Sequence, residues 1–185
     1  MAEATKNIQT ALSLKEQGNA AFKAGNIQEA MASYHQIFMY VHGFSEGSGA
    51  SAQSMPGQTT KPVDAETMAQ LRELKVVHFS NLAMCHLKLG NVEKARDNSS
   101  KALAIDAKNI KSLFRRGKCH STLGALDEAK ADFDQILSLE VRSRTPRVAA
   151  GSRAQPVPLP ATLAQPENRE AMRELHALKQ KFKEH

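Results

Sequence analysis

The chain has 185 residues, 41% of them hydrophobic and 24% charged, a composition that excludes wholesale disorder and suffices for one soluble domain with a real core. A formal net charge of +6 and a pI near 9.4 favour an acidic partner without choosing among a carboxylate peptide, nucleic acid and a membrane surface. Cys85 and Cys119 are the only cysteines, too few for a disulfide framework or a four-ligand zinc site.

Met1 to Thr10 reads as a polar lead-in with no charged-then-apolar leader. No apolar run approaches the roughly 18 residues that a membrane-spanning helix needs, so a cytoplasmic, or also nuclear, address is expected. Ala11 to Ala24 carries Leu12, Ala20 and Ala21 among good helix formers, and Gly25-Asn26 ends it as a C-terminal breaker pair. Ile27 to Val41 resumes helical spacing with Ile27, Ala30, Met31, Tyr34, Ile37, Phe38 and Val41, a broad apolar stripe. This unit of helix, tight turn and helix returns as Val76 to Leu89, Gly90-Asn91 and Val92 to Ile105. It returns again as Ile110 to Leu123, Gly124-Ala125 and Leu126 to Leu139.

Gly90 and Gly124 stand 34 residues apart, as do Ala95 and Ala129. A 34-residue helix-turn-helix period is that of the tetratricopeptide repeat. The first-unit counterparts, Gly25 and Ala30, lie 65 upstream, one period plus 31 residues. The repeats then run at about 11–44, 76–109 and 110–140, with an insertion over 45–75. That insertion starts as a small-residue flexible loop from Ser45 and ends as an N-capped helical extension from Asp64 to Lys75. Beyond the third repeat, Val141 to Gln165 holds three prolines within Pro156 to Pro160, four arginines and no acid, and reads as disordered. A closing helix follows at 167–183, with Met172, Leu175, Leu178 and Phe182 as its apolar stripe.

Val141 to Gln165 has two readings. One is a flexible loop. The other is the translation of an unspliced intron, because 25 residues keep frame, valine codons begin GT, and glutamine is encoded by CAG. Deleting the stretch places Pro166 directly after Glu140, where the repeat consensus has its proline. In either case the stretch is expected to lack helix and strand.

Three segments carry a family resemblance: Lys-Glu-Gln-Gly-Asn-Ala-Ala-Phe-Lys from Lys15, Asn-Leu-Ala-Met-Cys-His-Leu-Lys-Leu from Asn81, and Phe-Arg-Arg-Gly-Lys-Cys-His from Phe114. The chain resembles the three-repeat tetratricopeptide domain of the large FKBP-type immunophilins, of the aryl-hydrocarbon-receptor-interacting protein and of the tetratricopeptide repeat protein 9 family. The resemblance implies an all-α fold, three helix-turn-helix repeats plus a C-terminal capping helix in a right-handed superhelical solenoid. The prolyl isomerase domain of immunophilins is expected to be absent, since only Met1 to Thr10 precede helix one.

Many domains of this class grip the C-terminal Glu-Glu-Val-Asp of heat-shock protein 90 or 70 in a two-carboxylate clamp. Residue by residue, Lys15 and Asn19 match its first-helix pair, Asn81 its second-repeat asparagine, and Lys111 with Arg115 its third-repeat pair. The resemblance thus implies an adaptor or co-chaperone with that chaperone tail as partner, no enzymatic activity and no cofactor. Chemistry agrees, since lysine and arginine hold carboxylates by charge-assisted hydrogen bonds and asparagine offers both donor and acceptor to a peptide.

Each residue also has a blander reading. Singly, Lys15, Lys111 and Arg115 are ordinary surface charges, and it is the agreement of all five positions that favours the clamp. Asn19 and Asn81 fall inside helices, where asparagine is a poor helix former. Arg116 is expected to face the neighbouring helix or solvent. Cys85-His86 and Cys119-His120 occupy equal repeat positions and read as interhelix packing rather than as metal or nucleophile sites. A general scaffold binding another segment remains a rival, as does a nucleic-acid binder using Arg142, Arg144, Arg147 and Arg153, although that basic run has no aromatic residue for base stacking.

Overall fold

A computed structural model describes residues 2–46, 61–144, 173–174 and 177. Among them are six α-helices and two three-residue strands, in the order α1 (Ala2–Lys23), α2 (Ile27–Val41), β1 (Phe44–Glu46), β2 (Lys61–Val63), α3 (Ala65–Lys88), α4 (Val92–Ile105), α5 (Ile110–Thr122) and α6 (Leu126–Arg144). They form two compact units, residues 1–107 with α1 to α4 and residues 108–185 with α5 and α6. The expected closing helix lies outside the described residues apart from Arg173, Glu174 and Ala177, which are helical. Among the described residues no helix is long and apolar enough to cross a membrane.

Each helix pair turns by the same device. Gly90 at φ +74° and Gly124 at φ +80° take the left-handed conformation that glycine adopts without steric penalty. The next residue's N–H then reaches back to the helix, Asn91 N–H donating to His86 O and Ala125 N–H to His120 O, both at 2.9 Å. Asn26 N–H makes the same bond to Ala21 O at 2.9 Å, so the three turns predicted from Gly25, Gly90 and Gly124 are one structural motif.

Within a pair, the helices meet where one of them carries almost no side chain. Gly18, Ala83 and Gly117 occupy equal repeat positions, and so do Tyr34, Ser99 and Phe133. A Cβ on Gly18 would stand 2.5 Å from Tyr34 Cε1, and one on Gly117 would stand 2.9 Å from Phe133 Cε1. Where the second helix presents only Ser99, the first can carry the methyl of Ala83, and both are fully buried. The volumes therefore compensate from repeat to repeat, as close packing requires. The paired cysteines serve the same interior, since Cys85 and Cys119 are both fully buried.

Three sequence expectations need correction. Helix α1 starts at Ala2 rather than after a polar lead-in, because Ala4, Ile8 and Ala11 continue the core stripe at helical spacing and are all buried. Asn7 Nδ2 ties this first part to the end of α2 by donating to Tyr40 O at 3.3 Å. On α1 the buried stripe runs through Ala11, Leu14 and Ala21, whereas Leu12 is 39% exposed and Ala20 is exposed too. The insertion is bracketed by a parallel strand pair, Phe44 opposite Lys61 and Glu46 opposite Val63, which places Phe44 and Val63 in the core. Residues 47–60, most of the predicted flexible loop, lie outside the described residues.

The third correction concerns the stretch from Val141. Helix α6 continues through Arg144, so its first four residues are helical. Residues 145–165, with the remainder of the loop or intron reading, are outside the described residues. The helical extension over Asp64 to Lys75 is present as expected. Asp64 caps it by accepting from Thr67 N–H at 2.8 Å, and α3 then runs unbroken to Lys88.

Two expected outcomes follow from this packing. Gly117→Ala gains about 1 kcal/mol of helix propensity but overpacks against the fully buried Phe133 at a cost of about 1–3 kcal/mol. The urea midpoint of unfolding should therefore fall, and a raised midpoint would show that the ring yields freely.

The other outcome concerns His78, which is 4% exposed among Phe38, Phe79 and His35. Its Nδ1 donates to Tyr34 O at 2.7 Å. Burial holds its pKa below the ordinary value; the bond to Tyr34 O opposes this, and the charges of His35 and Lys101 add to it. The unfolded chain thus binds the proton first, so His78 contributes stability that is complete above about pH 6.5 and is lost as pH falls from there towards its folded-state pKa. His86, also held low mainly by burial, acts in the same direction. Stability measured by denaturant at stepped pH should decline on acidification by at most about 1.4 kcal/mol per pH unit for each histidine. His78→Phe should flatten that decline, and an unchanged slope would remove His78 from it.

Candidate functional site

The five candidate residues divide between the two units. Lys15, Asn19 and Asn81 belong to the first, on α1 and α3, and Lys111 with Arg115 belong to the second, on α5. Within the first unit α1 packs on α3 as well as on α2.

On α1 the buried face contains Leu14 and Gly18, and Lys15 and Asn19 each follow one of these by a single residue. They consequently lie side by side one turn apart, Lys15 half-buried and Asn19 exposed. Asn19 has a defined orientation, because the Tyr34 hydroxyl donates to its Oδ1 at 2.8 Å. With Oδ1 committed to Tyr34, the two N–H donors of Nδ2 point the other way, since the amide is planar. Tyr34 is itself only 2% exposed, seated in the space that Gly18 leaves open. Asn81 is half-buried on α3 between the buried Ser80 and Leu82.

On α5 the Asn109 side chain accepts from Ser112 N–H at 3.0 Å, capping the first turn, which contains Lys111 and no acidic residue. Leu113 and Phe114 are buried, at 1% and 7% exposure. Lys111 is exposed, whereas Arg115 one turn on is 7% exposed, more enclosed than a solvated surface charge. Arg116 faces the adjacent helix, as expected. Its guanidinium donates through Nη2 to Asp132 Oδ1 at 2.6 Å and through Nε to Oδ2 at 3.0 Å. Asp132 is 3% exposed, and His120 Nε2 lies 4.0 Å from its other oxygen contact, Oδ2. Arg116 is thus engaged inside its own repeat, while Lys111 and Arg115 share the helix face a turn apart.

Sequence reasoning missed Tyr34, which was read only as part of an apolar stripe. The available signal was that Gly18 and Gly117 align in the repeat and that each is followed sixteen residues later by an aromatic residue, Tyr34 and Phe133. Of these two only tyrosine has a hydroxyl to aim. Of the rival's arginines, Arg142 and Arg144 lie at the end of α6, and Arg147 and Arg153 are outside the described residues. Among the described residues no group of three or more His, Cys, Asp or Glu side chains could hold a metal ion.

Comparison with known proteins places this geometry in context. The tetratricopeptide repeat family profile matches residues 79–109 and 110–140. Peptidyl-prolyl cis-trans isomerase FKBP4 of Mus musculus is 36% identical over 126 residues, which is 68% of this chain and 24% of that protein. The chain thus spans about a quarter of the length of this curated relative. Among solved structures, the second TPR of Spaghetti (RPAP3) bound to the HSP90 peptide SRMEEVD aligns with a TM-score of 0.54 at 28% identity, covering 75% of this chain and 99% of that one. The second TPR domain of human RPAP3, in complex with the HSP70 peptide SGPTIEEVD, aligns with a TM-score of 0.57 at 22% identity, over 94% and 98% of the two chains, and shows the likeness of fold. Helix pairs, turn motif and profile agree that this chain is an all-α helical-repeat protein carrying tetratricopeptide repeats.

Proposed function

We propose that the chain is a co-chaperone or adaptor module that binds the acidic C-terminal peptide, of Glu-Glu-Val-Asp type, of heat-shock protein 90 or 70. Lys15, Asn19 and Asn81 of the first unit hold the terminal carboxylates and backbone, and Lys111 with Arg115 of the second hold the preceding side chain and carbonyls. The observation that carries this reading is Asn19, a residue poorly suited to mid-helix, held by Tyr34 with its donor edge outward beside Lys15. Support comes from the RPAP3 domain that carries the HSP90 peptide SRMEEVD. The net charge of +6 suits an anionic tail. The isomerase activity named in the FKBP4 relative is not ascribed to these repeats, which act here as a protein-binding scaffold.

The test is a calorimetric titration of the full chain with the pentapeptide Met-Glu-Glu-Val-Asp as free acid and as C-terminal amide. The free acid should bind with micromolar affinity, roughly 8 kcal/mol, and bind more weakly as salt is added because charge-assisted contacts are screened. Lys111→Ala, at an exposed position, should weaken binding by about 2 kcal/mol, because a carboxylate loses its partner. Equal affinity for acid and amide, or undiminished binding by a Lys15→Ala, Lys111→Ala double variant, would end the clamp reading.

A further inference from the structure

We infer that Tyr34 is a positioning residue for peptide recognition, acting through Asn19 and never touching the peptide itself. The inference rests on the clamp reading above and adds to it a residue on a different helix. An asparagine amide can turn over about its last side-chain bond, exchanging Oδ1 for Nδ2, with little intrinsic preference. Facing a carboxylate, one arrangement offers two donors and the other an oxygen that repels it. The exposed Asn19 would sample both if nothing held it.

Tyr34 holds it. The phenol is a donor to Oδ1 at 2.8 Å, and its ring is fixed from three sides. Gly18 admits the ring against α1, a Cβ there being 2.5 Å from Cε1. The residue is 2% exposed. Its own carbonyl accepts from His78 Nδ1 at 2.7 Å, which joins α2 to α3 at that residue. A phenol donates better than it accepts, its lone pair being delocalised into the ring, so the fixed hydroxyl favours the amide orientation that presents Oδ1 to it and turns the donors outward. The other two repeats do not have this device. At the tyrosine position they carry Ser99, whose hydroxyl donates to Ala95 O at 2.9 Å, and Phe133, which has none. At the Asn19 position they carry Met84 and Lys118. Tyrosine and asparagine thus occur together at these two positions in the first repeat alone.

Tyr34→Phe retains the ring against Gly18 and removes only the hydroxyl, and since Asn19 is exposed its Oδ1 turns to water, so the variant should fold, as its melting curve would report. The full-length variant is titrated with Met-Glu-Glu-Val-Asp as free acid and as amide, in both the native and the Asn19→Ala background. We expect about a fivefold loss of free-acid affinity, the scale of one neutral hydrogen bond, no change for the amide, and no further loss when Asn19 is already alanine. Full affinity in Tyr34→Phe alongside a weakened Asn19→Ala would overturn the positioning role and leave the clamp standing. An equal loss in both backgrounds would also overturn it, since Tyr34 would then act through packing alone. Undiminished binding by Asn19→Ala itself would overturn the clamp assignment of Asn19 and this inference with it.

Discussion

Close approach of paired helices at a small residue is the constraint on which the rest of the structure depends. Helices of 13 to 24 residues gain most of their stability from the faces they bury rather than from intrinsic propensity. Here those faces meet at Gly18, Ala83 and Gly117, opposite Tyr34, Ser99 and Phe133. The partner's bulk and the gap that receives it vary together, so each repeat reaches the same interhelix packing with different side chains. The turns are local by contrast, since the bonds of Asn26, Asn91 and Ala125 back to the preceding helix form at each helix's own C-terminus and set the direction in which the second helix leaves.

The same constraint sorts the polar residues. Buried polar groups need partners, and the small-residue seam determines where those partners can stand. In the first repeat it brings a tyrosine hydroxyl to Asn19. In the third, the fully buried Phe133 follows Asp132 directly, and Asp132 is thereby set against Arg116 and near His120. The equivalent histidine of the second repeat, His86, has Asn98 rather than an aspartate at the matching position, and its Nδ1 is buried without a hydrogen-bond partner. Such a group is costly to bury charged, which accords with the low pKa that burial imposes on it.

Charge is sorted in a comparable way. Glu3 pairs with Lys61 at 2.5 Å, Arg96 with Asp97 at 2.9 Å and Lys130 with Asp134 at 3.3 Å. These pairs are solvent-exposed and contribute little to stability. Arg116 differs, because its carboxylate partner is almost fully enclosed and removing the arginine would strand the buried Asp132 charge. Adjacent arginines on α5 therefore have distinct surroundings, Arg115 enclosed and Arg116 paired with Asp132, and the helical rotation of about 100° per residue is what separates them.

Much of this was legible in the sequence. The 34-residue period, the Gly-Asn turns, the Asp64 cap and the identities of Lys15, Asn19, Asn81, Lys111 and Arg115 are all local or periodic features, and local features survive without knowledge of what packs on them. The first ten residues misled because their stripe of Ala4, Ile8 and Ala11 is sparse, and becomes a core face only when α2 lies against it. The strand pair joins residues seventeen apart, and the Tyr34 hydroxyl reaches Asn19 across fifteen. Partnerships of that kind depend on how whole helices pack, so the chain's sequence determined the repeat and put forward the candidate site residues, while the tertiary structure alone decided which side chain orients which.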